Sequence, residues 1–184
     1  MIVLEFKLKG TSRQYQAIDE AIRTTQFIRN KCVRLWQETW GTTLSDLSAY
    51  CRILAHEYDF VRKLNSMARQ AAAERAGAAI TRFYAQCRSK KKKPGKKGYP
   101  RFQKDCRSVE YKTTGWKLDD LRRHLTLTDG LGMGTFTLKG IYDLLAYALG
   151  AIKRVRLVRR ADGYYAQSRS TPSVTCPSSP PEKP

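Results

Sequence analysis

The chain has 184 residues, of which 35 are Lys or Arg and 16 are Asp or Glu, so its formal net charge is +19. A positive excess of this size favours a polyanionic partner, with nucleic acid ahead of an anionic membrane, and disfavours roles that need an acidic surface. The hydrophobic fraction of 41% is enough for a packed core. Because there is no apolar run of about 18 residues and no signal-peptide pattern at the N-terminus, we expect a cytoplasmic protein with no membrane partner.

The N-terminal part of the chain predicts one strand followed by helices. Apolar side chains alternate with other residues from Ile2 to Leu8, which is typical of a strand that ends at Gly10. Thr11 and Gln14 have the spacing of a helix capping box, and the helix after them extends to about Trp40. Three helices are predicted in all: 11–40, 44–58 with Thr43 or Ser45 as its N-cap, and 65–87 with Asn65 or Ser66 at its start.

The third predicted helix is rich in alanine and carries several arginines. Small side chains allow a second helix to approach closely, so the alanines indicate tight packing. The arginines are expected on the outer face, where they add positive charge next to a basic loop at 90–97. A solvated helix face predicts the same pattern, and both interpretations stay open. The arginines are Arg69, Arg75, Arg82 and Arg88, and the first helix adds Arg13, Arg23 and Arg29.

Residues 98–167 predict a small antiparallel barrel or sandwich of short strands. Turn signals separate the strands, and Ala161-Asp162-Gly163 is a strong hairpin signal. Residues 141–150 favour one short helix inserted between strands. From Ser168 onward the composition is mostly Ser, Thr and Pro, which predicts a disordered tail at 168–184. The predicted strands are 108–112, 116–118, 124–127, 134–138, 154–159 and 164–167.

The strongest functional signal is the stretch from Lys90 to Phe102. Its first half is a lysine-rich loop interrupted by Pro and Gly, and its second half places two aromatic rings and an arginine beside a proline. Lysines neutralise phosphates without reading sequence, and aromatic rings stack on bases or fix the loop to the fold. The alternative is a solvated surface loop. The candidate nucleic-acid-binding residues are Lys90, Lys91, Lys92, Lys93, Lys96, Lys97, Tyr99, Arg101, Phe102, Lys104, Arg107, Arg75 and Arg82; Tyr111 and Trp116 are further aromatic candidates, for which core packing is favoured.

The cysteines and histidines give no metal-site pattern. The five cysteines form no CxxC pair, and the two histidines have no metal-type spacing to them, so we expect no zinc site within this chain. Reduced cysteines at apolar helical positions act as small core residues, which is the interpretation of Cys32, Cys51 and Cys87. The adjacent pair Asp119-Asp120 is interpreted as solvated, and no catalytic residue is assigned.

The order of these parts resembles a known family. The residues that carry the resemblance are the block Gly98–Lys104, the strand Ser108–Tyr111 and the hairpin Val155–Tyr165. Over residues 1–167 the chain resembles the N-terminal half of the TnpB/OrfB proteins of bacterial insertion sequences, formerly called probable transposases. The resemblance implies an RNA-guided DNA endonuclease related to the type V CRISPR effectors. It also implies a wedge-like β-barrel at 1–10 and 98–167, split by a three-helix recognition lobe at 11–89, which together bind guide RNA and a short target-adjacent DNA motif.

The sequence departs from the family pattern after the hairpin. Family members continue into a RuvC-like nuclease domain, whose three acidic residues hold metal ions, with a four-cysteine zinc ribbon inserted. Here Glu182 is the only acidic residue after Asp162. We therefore expect a truncated, non-enzymatic fragment that binds guide RNA and double-stranded DNA, with magnesium and zinc implied only for the missing nuclease half. A full-length homologue or a separate nuclease half is a further expected partner.

Two alternatives stay open at this point. The chain is also compatible with one half of a split nuclease that a separate RuvC-like chain completes. A small structural RNA-binding protein would explain the charge and the size, but not the long helical insertion between strands.

Overall fold

The computed structural model describes residues 2–89, 98–140, 150 and 152–170. Within them the chain forms four α-helices and seven strands, which confirms the predicted α+β class. The helices are α1 (Ser12–Glu38), α2 (Leu44–Glu57), α3 (Asp59–Lys63) and α4 (Ser66–Arg88). The strands are β1 (Ile2–Lys9), β2 (Ser108–Lys112), β3 (Trp116–Leu118), β4 (His124–Leu127), β5 (Gly134–Lys139), β6 (Ile152–Arg160) and β7 (Gly163–Ser170).

The seven strands form one antiparallel sheet in the order β2-β6-β7-β1-β5-β4-β3. The first strand lies in the middle, where Phe6 pairs with Ala166 on one side and Leu8 pairs with Leu138 on the other. The strands β3 and β6 are far apart in the sheet order, yet Trp116 of β3 and side chains of β6 line the same apolar cavity. The sheet must therefore be strongly curved. This curvature encloses the apolar side of the sheet.

The predicted closure into a barrel is wrong. A barrel requires backbone hydrogen bonds between its first and last strands. The two edge strands here are β2 and β3, and no ladder joins them among the described residues. A single 3₁₀ turn at Thr113–Gly115 leads the chain from one edge directly to the other. Alternating apolar residues predict the strands correctly, but they carry no information on whether the edges pair.

The long helix α1 begins and ends close to its predicted bounds. Thr11 and Gln14 form the predicted capping box, in which the Thr11 hydroxyl accepts from the Gln14 amide and the Gln14 side chain accepts from the Thr11 amide. Ile18, Ile28 and Cys32 on its inner face are fully buried. The apolar stripe of this helix therefore forms the base on which the other helices pack.

The alanines of α4 pack tightly, as predicted. Ala68, Ala72 and Ala76 are fully buried. The approach is closest at Gly77, where an added Cβ would lie 2.7 Å from Leu44 Cδ1. Leu44, the first residue of α2, covers Gly77 with its side chain while half of its surface stays exposed.

Three further sequence predictions are corrected by the structure. There are four described helices rather than three, because the short α3, which follows α2 and packs against α2 and α1, forms around the buried Val61. Strand β7 continues to Ser170 by pairing with β1, so the tail does not begin at Ser168, which is buried. Cys32 and Cys51 are buried as predicted, but Cys87 is exposed because it lies near the end of α4.

Some predictions concern parts of the chain that the structure does not describe. The basic loop 90–97, the predicted helix within 141–150 apart from Gly150, and the tail from residue 171 onward lie outside the described residues. None of the described helices combines the length and the apolar character that crossing a membrane requires.

Candidate nucleic-acid interface

Side chains of α1 hold the segment 98–107 by its backbone. Asn30 makes a pair of hydrogen bonds to Gln103: its Oδ1 accepts from the Gln103 amide at 2.9 Å, and its Nδ2 donates to the Gln103 carbonyl at 2.9 Å. One helical turn earlier, Gln26 accepts from the Cys106 amide at 2.8 Å and donates to the Lys104 carbonyl at 3.3 Å. The side-chain carboxamides of Gln26 and Asn30 lie on one face of α1, so they fix two successive parts of the segment along the helix.

Two more residues of α1 extend this attachment toward the start of the segment. Arg29 Nη1 donates to the Arg101 carbonyl at 3.1 Å, and Gln37 donates to the Pro100 carbonyl at 3.3 Å. Gln26, Asn30 and Gln37 are not among the residues predicted from the sequence. Their only sequence signal is that three amide side chains share a helix with exposed arginines, and that pattern is typical of any solvated helix.

This attachment uses the backbone; Pro100 and Cys106 are buried, whereas residues 101–105 are exposed. Arg101, Phe102 and Lys104 are all exposed, with Phe102 at 50%. Side chains of α1 bind six backbone groups of the segment, four carbonyls and two amides. The structure therefore presents Arg101, Phe102 and Lys104 on a backbone held by α1. The exposed Tyr99 and Asp105 belong to the same segment.

Two open clefts lie on either side of Phe102, which lines both of them. The first has a volume of about 770 Å³ and lies between the segment 98–103 and the end of α4; the second, about 320 Å³, follows the surface of α1. Neither has an Asp or Glu among its described lining residues. The cations are Arg29, Arg82 and Arg101 in the first cleft and Arg23, Lys31 and Arg34 in the second.

The cations of the clefts differ in how firmly they are held. Burial lowers the pKa of Arg29, but an arginine remains charged at neutral pH even so. Lys31 Nζ lies 5.5 Å from the centre of the Phe27 ring and 5.6 Å from that of Tyr58, which is cation–π geometry. Arg34 forms an exposed ion pair with Glu38 at 2.8 Å. Such a surface pair is weak and a phosphate can replace the carboxylate.

Tyr99 and Phe102 have different surroundings. The Tyr99 ring packs against Trp36 and Phe83, with centroid distances of 5.4 and 5.2 Å. The Trp36 indole also donates to the Tyr84 hydroxyl. Phe102 makes no such ring contact within the described part of the chain. Tyr99 thus anchors the segment on the helices, whereas Phe102 offers an open ring face.

Of the other candidates, Arg75 and Arg107 have partners within the fold that the sequence did not predict, whereas Tyr111, Trp116 and Arg82 lie on the predicted sides. Arg75 is turned inward, where its guanidinium donates to the Ser108 carbonyl and hydroxyl and so holds β2 on α4. Arg107 is exposed, but it pairs with Asp105 at 3.0 Å. Tyr111 and Trp116 are buried, in line with the favoured core packing, and the Tyr111 hydroxyl donates to Asp129. Arg82 is exposed at the first cleft.

The arginines of β6 form ion pairs within the fold. Glu110, whose side chain is only 5% exposed, accepts from Arg154 at 2.8 Å and from Arg156 at 2.8 Å. Arg159 pairs with Asp19, and Arg160 pairs with Glu5. The clustered arginines of this strand are therefore neutralised by carboxylates, whereas among the cleft arginines Arg34 alone has an ion pair within the described residues.

The basic loop 90–97 lies outside the described residues, but the described residues next to it are informative. Cys87 near the end of α4 and Gly98 after the loop both line the first cleft. The chain therefore leaves and re-enters the described structure at this cleft. The six loop lysines remain candidates on the grounds of the sequence alone.

The described residues contain no group of three or more His, Cys, Asp or Glu side chains suited to holding a metal ion. The chain matches no protein-family model and no curated protein among those compared. The site is therefore defined by its own geometry: two basic clefts without carboxylates, separated by a half-exposed phenylalanine on a fixed backbone.

Proposed function

We propose that this chain is a nucleic-acid-binding part of a TnpB/OrfB-like, transposon-associated RNA-guided DNA endonuclease, and that it holds guide RNA and target DNA. The observation that carries the proposal is the segment 98–107. Its backbone is fixed on α1, while Arg101, Phe102 and Lys104 stay exposed beside clefts that contain arginines and no carboxylates. Cations on a backbone that is already held in place lose little further conformational entropy when they contact phosphates.

The chemistry of the clefts suits a protein that leaves sequence reading to a guide. In RNA-guided recognition, base pairing selects the target, and the protein recognises mainly the backbone and shape of the strands. Guanidinium groups bind phosphate oxygens, and an open phenylalanine ring stacks on a base of any sequence. In this proposal the curved sheet serves as the wedge domain and helices α1 to α4 serve as the recognition lobe.

The proposal assigns no catalytic residue to the chain. In the family that it resembles, cleavage depends on carboxylates that hold metal ions. In this proposal such carboxylates come from outside the described residues, and a separate RuvC-like chain is one possible source. The role of the described residues is to bind and orient the strands.

The experiment that tests this function is a salt titration of binding. The purified chain is mixed with a labelled single-stranded RNA of about 20 nucleotides, or with a DNA duplex of about 20 base pairs, and affinity is measured by fluorescence anisotropy. Arg82→Gln and Arg101→Gln should each weaken binding and reduce the slope of log affinity against log salt concentration, by about 0.7 unit for the RNA and about 0.9 unit for the duplex. Phe102→Ala should weaken binding to RNA by about 1–3 kcal/mol without changing that slope.

The matched control is Arg123→Gln, which makes the same charge change at an exposed position in the turn between β3 and β4. The control should leave the parent slope unchanged. If Arg123→Gln reduces the slope as much as the cleft variants do, binding depends on total charge and the clefts are not the interface.

A further inference from the structure

We infer that a second site, separate from the two clefts, binds a single phosphate group between α2 and the first turn of α4. A cleft of about 280 Å³ lies there, and its described lining contains two guanidinium groups, two hydroxyls and one amide but no carboxylate. This inference does not depend on the proposed function. The lining residues are Ser48, Cys51, Arg52, Ser66, Arg69 and Gln70.

The environment of Arg69 points to an anionic ligand. Its Nε is shielded from solvent and has no hydrogen-bond partner among the described residues. Burial also lowers the pKa of Arg69, which means that its charge is partly removed from water. A partly desolvated guanidinium with an unused N–H gains more from an anion than an exposed one does. Neither Arg69 nor Arg52 takes part in an ion pair within the described part of the chain.

The other polar groups of the cleft complete a set of donors. Ser48 and Arg52 lie four residues apart on α2, and Ser66 and Gln70 lie four residues apart on α4, so each helix presents two polar side chains on one face. Cys51 contributes little, because its thiol already donates to the Leu47 and Arg69 carbonyls at 3.5 Å. Guanidinium, hydroxyl and amide donors match the several acceptor oxygens of a phosphate better than the two of a carboxylate.

The site is distinct from the interface described above. Arg69 and Arg82 are both on α4, and at about 1.5 Å per residue they lie about 20 Å apart along the helix axis. The phosphate that occupies the site has two possible sources: the backbone of a nucleic acid or a free phosphate compound. The chemistry of recognition is the same for both, so the experiment has to separate them.

The test begins with the simplest probe. Sodium phosphate is titrated into ¹⁵N-labelled protein at constant ionic strength, with sodium chloride as the reference, and amide chemical shifts are recorded. We expect saturable shifts at Ser48, Ser66 and Gln70 with phosphate and none with chloride. Arg52→Gln should weaken phosphate binding on the order of tenfold, as expected for the loss of a charge-assisted hydrogen bond. Arg123→Gln should leave phosphate binding unchanged.

Arg69→Gln should weaken phosphate binding at least as much, and a thermal melt shows whether this half-buried substitution preserves the fold. Arg52 is exposed, so its variant carries the test if the Arg69 variant does not fold. Identical shifts with phosphate and chloride, or equal phosphate binding by Arg52→Gln and the parent, would overturn the inference.

The second arm identifies the source of the phosphate. The salt slope for single-stranded RNA is compared between the parent and Arg52→Gln. A loss of about 0.7 unit identifies a nucleic-acid phosphate as the ligand. An unchanged RNA slope together with weaker binding of sodium phosphate identifies a free phosphate compound. Both results support the site, and neither depends on whether Arg82 and Arg101 form the main interface.

Discussion

Asn30 provides the sharpest test of how the candidate interface is built. Its carboxamide makes two hydrogen bonds of 2.9 Å to the backbone of Gln103. Asn30→Ala removes both, and at about 0.5–1.5 kcal/mol each the attachment of the segment weakens by roughly 2 kcal/mol. If the segment must be fixed in order to bind, that free energy is lost from binding, which corresponds to roughly 30-fold in affinity.

Two features distinguish this effect from the loss of a phosphate contact. The substitution removes no charge, so the slope of log affinity against log salt concentration should be unchanged. The free energy of unfolding should fall by no more than the roughly 2 kcal/mol by which the attachment weakens, less the few tenths of a kcal/mol that alanine gains over asparagine as a helix former. The weakening should also appear locally, as faster hydrogen exchange of the Gln103 amide.

The assay combines anisotropy titrations at several salt concentrations with a thermal melt and hydrogen exchange. The control is Gln37→Ala, which removes one hydrogen bond of 3.3 Å to the Pro100 carbonyl and should cost less than threefold in affinity. Faster exchange at Gln103 without any loss of affinity would refute the reasoning, since it would show that binding does not need a fixed segment.

Three further predictions concern charge, catalysis and stability. Replacing Lys90–Lys93 by alanine should weaken binding to any sequence and flatten the salt slope by about one unit per lost phosphate contact, as measured by anisotropy. The purified chain should show no magnesium-dependent DNA cleavage with any guide RNA on a gel, and reproducible cutting would contradict the proposal. Burial opposes ionisation of Glu110, but hydrogen bonds from Arg154 and Arg156 outweigh burial and lower the pKa of its carboxyl group. The ionised Glu110 therefore stabilises the fold fully above the ordinary value of 4.5, and this contribution is lost as the pH falls through the depressed pKa. Glu110→Gln should therefore destabilise the fold by about 3 kcal/mol at neutral pH in urea denaturation, and much less in acid.

The local elements were predictable from the sequence because their signals are local. The Thr11 and Gln14 capping box marked the start of α1, and the Asp162-Gly163 turn marked the last hairpin. Alternation of apolar residues gave β2, β3 and β4 with their observed bounds. In each case the same few neighbouring residues determine both the pattern and the structure.

Long-range contacts were not predictable in this way. Whether β2 and β3 pair depends on the path of the chain between them and on the curvature of the whole sheet, which no periodicity encodes. The attachment of Gln103 to Asn30 joins residues 73 positions apart, and an amide on a helix surface has no special sequence signature. The sequence indicated the candidate segment but not the residues that hold it in place.

The same limit applies to the arginines. In the sequence, Arg75, Arg82, Arg101 and Arg156 are all equally positive. In the structure, Arg75 binds the backbone of β2 and Arg156 binds Glu110, while Arg82 and Arg101 line a cleft without carboxylates. Partners distant in sequence decide which arginines remain available, so a net charge of +19 overstates the charge available to a ligand.

If the clefts bind nucleic acid as proposed, the roles of position and charge can be separated in a double-mutant cycle. Arg101 lies on the segment that Asn30 holds, whereas Arg82 lies on α4 and does not depend on that attachment. The losses of affinity for RNA should be additive within about 0.5 kcal/mol for Asn30→Ala with Arg82→Gln. They should be less than additive for Asn30→Ala with Arg101→Gln, because part of the contribution of Arg101 is already lost when its backbone is released. Equal coupling in both cycles would mean that Asn30 acts on the whole site through the fold, and not by positioning this one segment.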